Sequence, residues 1–129
     1  MSEAGTRAMS GRRLLIVEDE YLVATDLARE FEEAGAHVVG PAGSVRDALE
    51  LLAEPGAIDA AVLDIQLHEE TVFPVADVLM RRGVPFVFAS GYESWVIPQH
   101  YAAIPRFEKP VETAHVSRLL SETCKSSIS

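Results

Sequence analysis

The chain has little that would commit it to an unusual environment. Among its 129 residues there is one cysteine, Cys124, so no intrachain disulfide is available and a reducing compartment is expected. No run approaches the roughly 18 apolar residues of a membrane span, and the N-terminus lacks the apolar stretch of a signal peptide. Basic residues are scarce: 11 Lys and Arg stand against 20 Asp and Glu, a formal net charge of −9. Arg12-Arg13 and Arg81-Arg82 are isolated pairs rather than a patch, so nucleic acid and anionic membranes are expected to be repelled. There are no internal repeats and no cluster of His and Cys. A cytoplasmic protein without nucleic-acid or membrane partners is the expectation.

What is present is enough for one core, with 48% hydrophobic and 24% charged residues. Residues 1–11 and 125–129 are small and polar without periodicity and are expected to be tails around a domain spanning 12–124. The domain opens with the apolar strand Arg13–Val17, which ends in Glu18, Asp19 and Glu20. Val23, Leu27, Phe31 and Ala34 follow at helical spacing, and Gly35 closes that helix. A short strand over Ala36–Gly40 leads to a turn at Pro41–Gly43. Ser44 then caps a helix with apolar positions Val45, Ala48, Leu49 and Leu52, stopped by Pro55-Gly56.

The run Ala60–Leu67 reads as a strand buried on both faces of a parallel sheet, where a lone charge survives only at the end. Asp64 is therefore expected at the C-terminal edge. After it come a polar loop, His68–Thr71, and a helix with Pro74 in its first turn. That helix is expected to bury Phe73, Ala76, Leu79 and Met80 before Gly83 ends it. Val84–Ala89 is a fourth strand ending in Ser90-Gly91. Pro98 and Pro105 then leave room only for a short helix within 99–103. A brief fifth strand around Arg106–Glu108 ends in Lys109-Pro110, and a last helix is expected to bury Val116, Leu119 and Leu120.

Strands and helices alternating at this length imply parallel pairing with right-handed crossovers, hence an α/β fold with a doubly wound five-stranded parallel sheet. Ligands of such sheets collect at the C-terminal edge. Glu18, Asp19, Asp64, Ser90 and Lys109 all terminate strands there. Carboxylates brought together repel, an arrangement that a divalent cation relieves, and oxygen ligands in a wet cleft favour Mg²⁺. With an amine at Lys109, a hydroxyl at Ser90 and a small residue at Gly91 that leaves room and offers its N–H, the set describes a phosphoryl site. A carboxylate can serve as the nucleophile there, forming an aspartyl phosphate.

These residues, in this order, give the chain a resemblance to the receiver domains of two-component response regulators, over roughly Arg12 to Cys124. More narrowly, Pro85-Phe86-Val87-Phe88-Ala89-Ser90-Gly91-Tyr92 resembles the Phe-Ala-Thr-Gly-aromatic-Tyr signature of a single-domain (FAT GUY type) subgroup found mainly in alphaproteobacteria, with Ser for Thr. Val72–Asp77 resembles that subgroup too. The resemblance implies a CheY-like fold and an acceptor at Asp64. It implies Mg²⁺ held by Glu18, Asp19, Asp64 and the backbone carbonyl of Gln66. The implied donor is a histidine kinase or a histidine phosphotransfer protein, and Lys109-Pro110 is commonly a cis bond in the family.

The resemblance implies signalling rather than enzyme function, with output through a protein partner or by draining phosphate from a kinase. The alternative is a degenerate receiver that binds partners without phosphorylation. A hydrolase of the haloacid dehalogenase type needs a second Asp where Gln66 stands. In the family, residues 66 and 92 set the lifetime of the phosphoryl group, and Tyr92 is expected to obstruct water. Three departures stand out. Arg106 occupies the position of a switch aromatic, with Phe107 of the wrong strand parity to replace it. His68-Glu69-Glu70 stands where the loop often carries Pro or Gly. The segment before Arg106 specifies its helix poorly.

Overall fold

The strands of the main sheet all run in the same direction, so all of them finish at one edge. The computed structural model describes residues 8–91 and 97–128, with side chains through residue 123. The sheet comprises β1 (Arg13–Val17), β2 (His37–Ala42), β3 (Ala60–Asp64), β6 (Phe86–Ser90) and β7 (Arg106–Glu108), while β4 (Gln66–Leu67) and β5 (Glu70–Thr71) form a separate antiparallel hairpin. The order is β2-β1-β3-β6-β7, parallel throughout. Among the described residues four α-helices cover it: α1 (Tyr21–Glu33), α2 (Val45–Ala53), α3 (Phe73–Arg82) and α4 (Thr113–Ile128). The fold is the expected CheY-like α/β arrangement.

Alternation along the strands divides the core into two layers. Leu14 and Ile16 of β1, Ala60 and Val62 of β3, and Val87 and Ala89 of β6 pack with Leu27 and Phe31 of α1 and Val116 and Leu120 of α4. Leu15, Val17, Ala61, Leu63, Phe86 and Phe88 face the other way, onto Ala48 and Leu52 of α2 and Val75, Ala76 and Leu79 of α3. The central strands β3 and β6 are buried along their whole length, which is why they read as unbroken apolar runs. Each fully buried Leu, Val or Phe contributes about 1.5–3 kcal/mol. Truncating Leu63 at the sheet's centre therefore removes a large share of a marginal stability.

Local signals hold in several places. Ser44 caps α2 by accepting from the Asp47 N–H at 3.1 Å, and Gly83 ends α3 in the left-handed conformation, φ 70°. Other details differ from the sequence reading. β2 continues through Pro41 to Ala42, with a register shift against β1 between Leu15 and Val17. Gly40, at φ +93°, makes this bulge: a Cβ there would stand 2.8 Å from the Ala42 nitrogen and 3.1 Å from the Ile16 oxygen. A proline is tolerated because β2 is an edge strand.

The run read as one strand over Ala60–Leu67 ends at Asp64; Gln66–Leu67 pairs instead with Glu70–Thr71, so the stretch expected as a polar loop forms the turn and second strand of the β4–β5 hairpin. The fourth strand starts at Phe86 rather than Val84 and includes Ser90. α3 turns Val75, Ala76 and Leu79 inward and leaves Met80 exposed, with Phe73 only partly buried; Leu119 of α4 is likewise partly exposed. The short helix is a single 3₁₀ turn, Gln99–Tyr101.

Both expected tails are corrected at their inner ends. Met9 is fully buried in the α1/α4 layer and its N–H donates to the Ala34 carbonyl at 3.1 Å, so the domain begins before Arg12. α4 runs on through Ile128, which makes residues 125–128 helical. Among the described residues no helix is long and apolar enough to cross a membrane.

Candidate functional site

The period of two that sorts the core also sorts the charges. Leu14 and Ile16 point to the α1/α4 layer, and Glu18 continues their parity; Asp64 continues that of Ala60 and Val62; Lys109 continues that of Phe107. Three strands thus deliver two carboxylates and one ammonium to the same side of the C-terminal edge. Lys109 Nζ lies 2.7 Å from Glu18 Oε1 and 3.1 Å from Asp64 Oδ2. Glu18 and Asp64 are both buried, at 3% and 5% exposure. The other Glu18 oxygen accepts from the Glu20 N–H at 3.0 Å, which tethers the start of α1.

Asp19 is exposed beside this pair. Glu18, Asp19 and Asp64 each offer an oxygen within 4.8 Å of the others. Lys109 thus pairs with two of three clustered carboxylates, and the group as a whole carries an excess of negative charge. Burial is the largest reason that the Asp64 carboxyl is pushed up to about 7; the Glu18 charge adds to it, and Lys109 pulls the value down without overcoming either. Burial opposes the Lys109 charge as well, but its hydrogen bond to Glu18 and the two neighbouring carboxylates outweigh that and raise it above the usual amine range. Oxygen-only donors and an excess of negative charge fit a hard divalent ion such as Mg²⁺.

Asp19 has a partner that the sequence did not suggest. Its Oδ2 accepts from the His68 main-chain N–H at 2.6 Å, at the turn of the hairpin. Gln66, two residues after Asp64, donates its side-chain amide to the Leu67 carbonyl at 2.9 Å and to the Glu70 carbonyl at 3.4 Å. That amide is occupied by the hairpin's own backbone. No Gly or Asn marks the two-residue turn, so the usual hairpin signal is missing.

Ser90 is buried at the end of β6, and its carbonyl accepts from the Lys109 N–H at 2.8 Å. Gly91 follows it and is exposed; among the described residues, nothing lies within 4 Å of a Cβ built there. The Lys109-Pro110 peptide is cis, as the resemblance implied. Tyr92 lies outside the described residues.

On β7, Arg106 is exposed and Phe107 packs in the α1/α4 layer, edge-on to His115 at 5.3 Å. The opposite layer next to β6 is filled by Tyr101, which stacks on Phe73 at 5.0 Å and meets Phe88 edge-on at 5.7 Å. Its hydroxyl donates to the Phe73 carbonyl at 3.1 Å and to the Asp77 carboxylate. That bond is the main cause holding Asp77 below the usual carboxylate range, while burial raises the Tyr101 phenol. The only sequence signal for this anchor was one aromatic in a stretch broken by prolines.

No family model matches the chain. Among curated proteins it is similar to the phyllosphere-induced regulator PhyR of Methylorubrum extorquens, 30% identical over 127 residues, which cover 95% of this chain and 48% of that protein. The chain spans less than half the length of the curated relatives it matches, from 35% to 48%. Among solved structures it is similar to SdrG from Sphingomonas melonis Fr1, at 32% identity and a TM-score of 0.68 over 90% of this chain and 97% of that one. A response regulator receiver protein from Sinorhizobium medicae WSM419 superposes with a TM-score of 0.74 at 24% identity, covering 89% of this chain and 95% of the other.

Proposed function

Since the chain belongs to the response regulator receiver (CheY-like) family, we propose that it takes a phosphoryl group onto Asp64 from a histidine kinase or a histidine phosphotransfer protein and passes the signal to a protein partner or serves as a phosphate sink. The observation that carries this reading is the Asp64 carboxylate, buried at the end of the central strand, 3.1 Å from Lys109 Nζ and within 4.8 Å of the Glu18 and Asp19 oxygens. A Mg²⁺ ion held by Glu18, Asp19, Asp64 and the Gln66 backbone carbonyl would supply neutralising charge for the carboxylates and for an arriving phosphoryl group.

The chain's own groups do the rest. An Asp64 oxygen bonds to phosphorus as the phosphorus–nitrogen bond to the donor histidine breaks, and the nitrogen leaves with its electron pair. Lys109, already beside Asp64, balances the charge that arrives. The Ser90 hydroxyl and the Gly91 N–H donate to phosphoryl oxygens, and Gly91, having no side chain, leaves room for the group. Pro110 shapes the turn that follows Lys109. Hydrolysis of the acyl phosphate needs a water in line with the breaking bond, and with the Gln66 amide engaged by the hairpin, Tyr92 is the residue proposed to set its approach.

The test is labelling with a small-molecule phosphodonor and Mg²⁺. Wild type should gain one phosphoryl group and Asp64→Asn none; equal labelling of the two would move the acceptor elsewhere.

A further inference from the structure

Asp19 differs from the other two carboxylates of the cluster. It is exposed and has no contact with Lys109 among those that hold Glu18 and Asp64. An exposed aspartate samples several rotamers, so presenting it to a cation in one geometry costs entropy unless something else holds it. The group that holds it is the main-chain N–H of His68, at 2.6 Å from Oδ2.

That N–H is itself well anchored. Leu67 beside it is fully buried in the α2/α3 layer. The base of the hairpin is tied by the Val72 N–H to the Ile65 carbonyl and the Ile65 N–H to the Ala89 carbonyl, both at 3.0 Å. On the far strand Glu70 accepts from the Val45 N–H at 3.0 Å, a carboxylate at the N-terminus of α2, where it is electrostatically favoured. The hairpin is thus fixed to β6 at one end and to α2 on its flank, and the side chain of Gln66 locks its backbone internally.

We propose that the hairpin 66–71 is a positioning element for the cation site, with the His68 main-chain N–H holding Asp19 Oδ2 and leaving Oδ1 as the oxygen open to a divalent ion. The inference rests on the reading of the acid cluster as a cation site. The donor is the backbone, so the identity of the His68 side chain is immaterial, with one exception. A proline at 68 has no N–H to give. Because coupling between two equilibria is reciprocal, a cation must tighten the hairpin by the factor with which the hairpin tightens the cation.

Calorimetric titration with Mg²⁺ of wild type, His68→Pro and His68→Ala tests this, together with hydrogen exchange of the His68 amide in the wild type. The proline variant should bind Mg²⁺ about three- to tenfold more weakly, the range that one net hydrogen bond supplies, and the alanine variant should stay within about twofold of wild type. Saturating Mg²⁺ should slow exchange of the His68 amide. Wild-type affinity in the proline variant, an equal loss in the alanine variant, or faster exchange with Mg²⁺ would each overturn the proposal. Should the proline variant fail to fold, the exchange measurement on the wild type decides alone. A wild type that binds no Mg²⁺ instead removes the cation reading, and the proposal with it.

Discussion

At the N-terminal end of the main sheet, Arg13 donates its main-chain N–H to the Asp59 carboxylate at 2.8 Å and its Nε to the Ala57 carbonyl at 2.9 Å, with its guanidinium lying against Gly56. At the C-terminal end, three carboxylates cluster, and the two buried ones share a single ammonium. The same strands make both ends, yet the first matches a charge to a donor and the second leaves negative charge in excess. The matched end gains a little stability from these bonds. The unmatched end holds electrostatic repulsion that a cation or a change at Asp64 relieves, so chemistry can be driven there.

The largest way to expose this difference is pH. The folded Asp64 carboxyl sits at about 7, above its ordinary 3.8. A carboxyl raised in the folded state contributes stability that is fully present below the unfolded value and is lost as pH rises through the folded one. Metal-free protein should therefore lose up to about 4 kcal/mol from this group between about pH 4 and 7, and urea unfolding of Asp64→Asn should show that loss removed. Saturating Mg²⁺, binding the ionised native form, should offset it.

Next comes the ammonium. Lys109→Met leaves Glu18 and Asp64 buried without a cation, and denaturant unfolding at pH 8 should show about 3 kcal/mol less stability, part of which Mg²⁺ restores. The smallest effect is at the opposite end, where Asp59→Ala should cost about 1 kcal/mol and leave Mg²⁺ affinity and phosphoryl labelling unchanged. A loss of either there would erase the contrast between the two ends.

Most of the fold was legible because its central strands are unbroken apolar runs and its helices carry clean spacing, as at Leu27 and Phe31 or Ala48 and Leu52. The acid edge was legible for the same reason: a charge at the end of a buried strand has few places to go. What escaped depended on contacts distant in sequence or on missing local signals. Pro41 reads as a turn, and only the neighbouring edge of β1 explains a bulge that carries β2 past it. The hairpin turn at His68-Glu69 lacks the usual residues, and its stability comes from Leu67, Asp19 and Val45. Met9 sits in a stretch of small polar residues, and nothing local shows that it docks on Ala34. Tyr101 becomes an anchor only because Phe73, Asp77 and Phe88 surround it.

The most direct test of the account is to find where the phosphoryl group lands on the unaltered chain. Phosphodonor-treated protein, reduced with borohydride, converts an aspartyl phosphate to homoserine, which peptide mass spectrometry places in the sequence. The account predicts homoserine at position 64, dependent on Mg²⁺. Homoserine at another position, or none under conditions that bind Mg²⁺, would contradict it.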